Sequence, residues 1–324
     1  FYPYAIESFE ISPDATTLTI HMRKGIKFDD GEPLTTDNVK WFWDNVVLNE
    51  ELTQSPPGRW STGSPKELAE VTFGGAYTYT VKYAHPNPRA ILAWRAPDGF
   101  AWQPFFAHYY LQQFHGELTD DKGALEKAVE DAGFETWTQL FEDKASYHLN
   151  PDLPLVTAWT PQSALSTELF EMLRNPYAIS VDEEGQQLPY VDKIFHRLHT
   201  SLEVWELWLV NGEIDFQARR VGMGRYTLLK ENEESGDYRI ALGTSAGGYA
   251  VTPNQTAKDP RVRELFQDRR VRFAMNFAVD RDLINELFND GLHTPRQVSP
   301  ISPSPNFDEK YAFHNLEYDP DKSN

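Results

Sequence analysis

The sequence contains no cysteine among its 324 residues. This absence excludes disulfide bridges, thiolate metal sites and a cysteine nucleophile, and it says little about the compartment. Basic residues are few, since 30 Lys and Arg stand against 49 Asp and Glu and give a net charge of −19. Nucleic acids and anionic membranes attract basic surfaces, so neither is predicted as a partner.

Long hydrophobic runs are also lacking. No stretch approaches the roughly 18 apolar residues that indicate a transmembrane helix, and the opening residues, FYPY, do not read as a signal peptide. Hydrophobic residues nevertheless make up 40 % of the chain, which is enough for packed cores. Because a domain commonly has about 150 residues, the length predicts roughly two domains.

Residues 17–47 read as a strand, a turn and an amphipathic helix. Leu18, Ile20 and Met22 alternate with polar residues, as on the buried face of a strand. Thr35 is the predicted N-cap of the helix that follows. The apolar residues of that helix repeat at helical spacing and are Val39, Phe42, Trp43, Val46 and Val47.

The order of residues in this stretch closely resembles a signature of the family 5 extracellular solute-binding proteins. These are the peptide- and nickel-binding receptors of bacterial ABC importers. Members of the family typically read LRKGVKFHDGEPLTAEDV where this chain has MRKGIKFDDGEPLTTDNV over residues 22–39. Asn38 stands where the family usually has an acidic residue, so we expect a slightly weaker helix start.

Two later segments resemble the same family. Residues 174–194 match a pattern read as RNPYYW-VD-EGNQLPYIDKI in larger members, and residues 268–281 match D-RVRQAL-YAIDR. In the second of these, Asp268 and Asp280 are predicted to cap two successive helices. The three matches occur in the family's order and together span most of the chain.

The resemblance implies an α/β, two-lobed fold like that of the type II periplasmic binding proteins, with an extra small α+β domain on the first lobe. Residues 1–149 are expected to form that small domain with its N-terminal part missing. Residues 150–244 would then be a segment of lobe 1, and residues 245–324 the start of an incomplete lobe 2. Family members usually run longer, so we expect an internal fragment.

The function implied by the resemblance is capture of an extracellular oligopeptide and its delivery to the permease subunits of an ABC importer. Hinge closure around the ligand would be the mechanism, in a monomeric, periplasmic or extracellular protein that could carry a lipoprotein anchor. An oligosaccharide is the alternative ligand, because larger members with the second pattern include sugar binders. No cofactor and no catalysis are expected.

Four residues in predicted loops near the block boundaries are candidate ligand contacts. By analogy with the family such loops border the ligand cleft, and aromatic side chains with a polar tip suit peptide or sugar contacts. The candidates are Trp60, Trp159, Tyr249 and Asn254.

A catalytic or metal site is the alternative to this binding function. A secreted glycosidase would need an isolable carboxylate pair, and none stands out among the many acidic residues. His196 and His199 would lie on opposite faces of a strand without an acidic partner, so no metal site is predicted.

Overall fold

A computed structural model describes residues 5–94, 105–243 and 249–323. The chain divides into two compact units, Phe1–Leu198 (unit 1) and His199–Asn324 (unit 2). The finer division at residues 149 and 244 stays a prediction.

Unit 1 contains three antiparallel sheets in its described part. Their strands are β1 (Ile6–Ile11), β2 (Thr17–Met22), β3 (Ser61–Thr62), β4 (Glu67–Leu68), β5 (Glu70–Phe73), β6 (Thr78–Lys82), β7 (Trp159–Pro161), β8 (Leu169–Arg174) and β9 (Lys193–Arg197). The largest sheet has the order β1-β2-β6-β5, a second pairs β3 with β4, and a third has the order β7-β8-β9.

The predicted strand around Leu18 is confirmed as β2, at the centre of the largest sheet. Leu18 lies opposite Val81 of β6, and Ile20 lies opposite Tyr79. These four side chains are all 0 % exposed. Because side chains alternate across a strand, this register places the apolar face of β2 and that of β6 together in the core of unit 1.

The helices of unit 1 are short. They are α1 (Thr36–Phe42), which continues into a π-helical turn over Trp43–Val47, α2 (His108–Leu111), α3 (Lys122–Asp131) and α4 (Trp137–Lys144).

Thr35 caps α1, as predicted, and Asn38 completes the capping box. The hydroxyl of Thr35 accepts from the N–H of Asp37, while Oδ1 of Asn38 accepts from the N–H of Thr35 at 3.0 Å. Asn38 thereby satisfies a backbone donor that would otherwise have no partner inside the helix. A slightly weaker helix start than an acidic residue would give stays a prediction.

Unit 2 is helical in its described part. Its helices are α5 (Leu202–Val210), α6 (Tyr226–Glu231), α7 (Pro260–Gln267), α8 (Arg269–Phe277), α9 (Arg281–Asn289), α10 (Glu309–Ala312) and α11 (Pro320–Ser323). The caps predicted at Asp268 and Asp280 are confirmed: their carboxylates accept from Arg270 N and Leu283 N. No helix in the described ranges is long and apolar enough to cross a membrane.

Arg281 connects the end of α8 to the C-terminal segment of unit 2. Its Nη2 donates to Oδ1 of Asn276 at 2.6 Å, and its Nη1 donates to the carbonyl oxygen of Leu316 at 3.3 Å. Asn276 in turn donates from Nδ2 to the carbonyl oxygen of Asn315 at 2.7 Å. These bonds fix residues 315–316 against the α8–α9 turn.

Candidate functional site

Trp159 is the first residue of β7, whereas the sequence predicted that it lies in a loop. It lies opposite Arg174 of β8, and its side chain is half-buried. Its carbonyl oxygen accepts from the hydroxyl of Thr157 at 2.6 Å. The loop prediction was wrong because a three-residue strand next to a proline-rich boundary carries little periodicity of its own.

The backbone leading to Trp159 is held by the turn of the first family motif. Asp29 donates from its backbone N–H to the carbonyl oxygen of Leu155 at 2.9 Å. In return, the N–H of Leu155 donates to Oδ1 of Asp29 at 2.7 Å. Burial raises the pKa of the Asp29 carboxyl, although the hydrogen bond from Leu155 favours the charged form and acts in the opposite direction.

Asn175, in the second family motif, holds the same stretch of backbone. Its side chain is 0 % exposed. Nδ2 donates to the carbonyl oxygens of Leu155 at 3.3 Å and Thr157 at 2.9 Å. Oδ1 accepts from the N–H of Tyr177 at 2.7 Å, and the backbone N–H donates to the carbonyl oxygen of Ala158 at 2.9 Å. The side chain thus uses both of its polar atoms, as burial requires.

Further contacts fix the turn itself. Tyr109 donates from its hydroxyl to Oδ2 of Asp30 at 2.7 Å. Burial, followed by this bond to a carboxylate, raises the pKa of Tyr109, which keeps the phenol protonated as a donor. Gly31 has φ +96°, and a Cβ there would stand 3.4 Å from the hydroxyl of Tyr177. Glycine is favoured at this position because other residues rarely adopt a positive φ.

Trp60 packs in the aromatic core of unit 1. Its side chain is 1 % exposed, and its ring centroid lies 5.0 Å from that of Trp43 and 4.7 Å from that of Trp94. This environment favours a packing role, and contact of Trp60 with a ligand stays a prediction.

The remaining two candidates belong to unit 2. Tyr249 is 76 % exposed, and its ring centroid lies 6.1 Å from that of Phe288. Asn254 is exposed, and its Oδ1 accepts from the N–H and from the hydroxyl of Thr256, each at 3.0 Å. Both bonds use the oxygen of the Asn254 side chain and not its amide nitrogen. The roles of Tyr249 and Asn254 stay predictions.

Sequence reasoning missed Asp29 and Asn175 as residues that position backbone. Both were read as parts of a family motif, and the available signal was their residue type, since Asp and Asn readily bond to backbone groups. What the sequence could not reveal is the shared target, Leu155, which lies far from Asp29 in the chain. In the parts of the chain that the structure describes, no group of three or more His, Cys, Asp or Glu could hold a metal ion.

Comparison with known proteins identifies the family. The model of the bacterial extracellular solute-binding proteins, family 5 Middle, matches residues 1–324. A periplasmic alpha-galactoside-binding protein of Rhizobium meliloti is 27 % identical over 97 % of this chain and 44 % of its own length. A probable ABC transporter-binding protein of Deinococcus radiodurans is 23 % identical over 97 % of this chain and 50 % of its own length. The chain therefore spans about half the length of these curated relatives.

Solved structures give the same result. An oligopeptide-binding protein, OppA, is 33 % identical with a TM-score of 0.78, over 98 % of this chain and 50 % of its own. The periplasmic binding protein MelB of Agrobacterium fabrum C58, solved with stachyose, is 23 % identical with a TM-score of 0.61, over 96 % of this chain and 45 % of its own. The predicted fold class, α/β and of the type II periplasmic-binding-protein kind, is confirmed. The chain belongs to the family 5 bacterial extracellular solute-binding proteins.

Proposed function

We propose that this protein is an extracellular receptor that binds an oligopeptide and delivers it to the permease subunits of an ABC importer. The observation that carries the proposal is the match of the family model to residues 1–324. The proposed location is periplasmic or extracellular, with a lipoprotein anchor as one mode of attachment. The proposed mechanism is hinge closure, in which the ligand binds the closed state more tightly than the open one and shifts the population toward it.

The choice of an oligopeptide rests on the similarity to OppA, which combines 33 % identity with a TM-score of 0.78. Within the chain, half-buried Trp159 offers an apolar ring with a polar N–H, and exposed Tyr249 offers a ring with a hydroxyl. Asn254 adds an amide that can donate to a peptide carbonyl. These three residues are the proposed ligand contacts.

An oligosaccharide is the second candidate ligand. It is favoured by the similarity to the alpha-galactoside-binding protein, which extends over 97 % of this chain. The same side chains would serve, since an aromatic ring can cover the apolar face of a sugar while an amide bonds to its hydroxyls.

Ligand identification tests the proposal. The protein, produced as its gene encodes it, would be purified without denaturation and the ligand that it retains identified by native mass spectrometry. Calorimetric titration would follow with tri- to pentapeptides in one arm and with raffinose and stachyose in the other. Saturable peptide binding with sugars inert supports the first proposal, and the reverse result supports the second.

Recovery of the ligand separates binding from catalysis. A receptor should release the titrated peptide or sugar unchanged after prolonged incubation. Accumulation of a cleavage product that disappears when a carboxylate of this chain is replaced would contradict the proposal and favour a glycosidase or peptidase.

A further inference from the structure

Residues 155–158 form neither helix nor strand, and they lead directly into Trp159 at the start of β7. Without a ladder of its own, such a stretch depends on other groups to satisfy and orient its backbone. Here two residues, Asp29 and Asn175, supply those groups with both their side chains and their backbone N–H groups, and they come from two separate parts of the chain.

Asp29 acts at the beginning of the stretch. Its backbone N–H and its Oδ1 bond to the carbonyl oxygen and the N–H of Leu155, at 2.9 and 2.7 Å. Two bonds to one residue fix its orientation as well as its position, because rotation about either bond would break the other. The side chain of Leu155 adds to this anchor, being 8 % exposed within an apolar cluster that includes Leu111 and Phe141.

Asn175 acts along the rest of the stretch. It bonds to the carbonyl oxygens of Leu155, Thr157 and Ala158, the last through its backbone N–H. It also directly follows Arg174, the residue of β8 that lies opposite Trp159. Asn175 therefore ties the stretch before β7 to the end of β8, on both sides of Trp159.

We propose that Asp29 and Asn175 are positioning residues for ligand binding, which act by holding the 155–158 backbone so that the Trp159 indole keeps one orientation. The inference rests on the proposed contact between Trp159 and the ligand. Neither side chain is assigned a ligand contact of its own.

The first experiment needs no ligand. The protein would be labelled with 5-fluorotryptophan, and the ¹⁹F resonance of Trp159 identified by its loss in Trp159→Phe. Asp29→Ala and Asn175→Ala should shift or broaden that resonance, and Asp29→Asn should restore it, since Oδ1 of Asn can still accept from Leu155 N–H. Asp121→Ala is the matched control, because it removes a carboxylate that bonds to a backbone N–H, that of Ala124, at the start of α3.

Amide exchange provides the second readout. The N–H of Leu155 should exchange faster in Asp29→Ala and at the original rate in Asp29→Asn, with no change in Asp121→Ala. A Trp159 resonance that is unchanged in both alanine variants would overturn the proposal whatever the ligand is.

The third experiment measures affinity for two probes, trialanine and raffinose, and uses whichever the unaltered protein binds. Asp29→Ala and Trp159→Ala should each weaken binding by about tenfold. When Trp159 is already alanine, adding Asp29→Ala should weaken binding by less than about twofold further, because Asp29 is proposed to act by orienting the indole that this variant lacks. Equal losses in both backgrounds would overturn the inference.

The two possible failures are distinguishable. If Trp159→Ala leaves affinity unchanged, the proposed ligand contact is wrong and the role of Asp29 in binding falls with it. If Trp159→Ala weakens binding but Asp29→Ala does not, the contact stands and only the positioning role is overturned.

Discussion

Asn38 donates from Nδ2 to the carbonyl oxygen of Phe106 at 2.8 Å, while its Oδ1 accepts from the N–H of Thr35 at 3.0 Å. A single buried amide thus caps α1 and connects it to the chain just before α2. Nδ2 also lies 3.0 Å from Nδ1 of His108. An aspartate, the residue that the family usually has here, could accept from the N–H of Thr35 but could not bond to the carbonyl oxygen of Phe106, because a carboxylate cannot donate.

Asn38→Asp should therefore destabilise the protein by about 1–3 kcal/mol at neutral pH, since the carbonyl of Phe106 loses its donor and a charge is buried. Asn49→Asp is the control, because Oδ1 of Asn49 accepts from the N–H groups of Glu51 and Leu52 and an aspartate can do the same. Urea unfolding would measure both. Equal stabilities for the two variants would contradict the expectation.

Two buried tyrosines should respond in opposite ways to loss of the hydroxyl. The hydroxyl of Tyr79 is buried without a hydrogen-bond partner among the described residues. That of Tyr83 donates to the carbonyl oxygen of Arg59 at 2.9 Å. Tyr79→Phe should raise the free energy of unfolding by up to about 2 kcal/mol, and Tyr83→Phe should lower it by about 1 kcal/mol. Thermal unfolding of both variants tests this, and a loss of stability in Tyr79→Phe would reveal a partner for its hydroxyl.

The stability difference between Asp29→Asn and the unaltered protein should depend on pH. Burial raises the folded-state pKa of Asp29 above its ordinary value of 3.8. The folded state then binds the proton more tightly, so the stabilisation from this proton is complete below about 3.8 and is lost as pH rises through the folded-state pKa. The free energy of unfolding of Asp29→Asn minus that of the unaltered protein should therefore be larger at pH 7 than at pH 4. Melting temperatures at the two values test this, and a constant difference would show that Asp29 has an ordinary pKa.

Trp159→Ala and Trp60→Ala should separate a ligand contact from a core residue. Trp159→Ala should weaken ligand binding by about 1–3 kcal/mol with a modest fall in melting temperature, since the side chain is only half-buried. Trp60→Ala should cost about 3–5 kcal/mol of stability, because the side chain is 1 % exposed. Titration calorimetry and thermal unfolding of each variant decide the matter. The reverse pattern would assign Trp159 to packing.

Local signals in the sequence predicted local structure well. The alternation of Leu18, Ile20 and Met22 predicted the buried face of β2, and Asp268 and Asp280 were recognised as caps because the capping bond spans only a few residues. These features depend on neighbours in the chain, so they can be inferred without a fold.

Features that depend on distant partners could not be predicted in this way. Trp60 follows a Pro- and Gly-rich stretch that reads as a loop, yet contact with Trp43 and Trp94 places it in the core. The strand that begins at Trp159 exists because β8 pairs with it. The bonds from Asp29 and Asn175 to Leu155 likewise need the tertiary structure, since neither residue is near Leu155 in the sequence.

The bonds to Leu155 all end on its backbone, and this has a consequence for how the sequence can vary. Leu155 takes part only through its backbone N–H and carbonyl oxygen, so another apolar residue of similar size could replace it without losing any of these bonds. The number of residues from Leu155 to Trp159 cannot change so freely, since one insertion would carry the indole out of register with Arg174. In this segment, selection should tolerate substitutions far more readily than insertions or deletions.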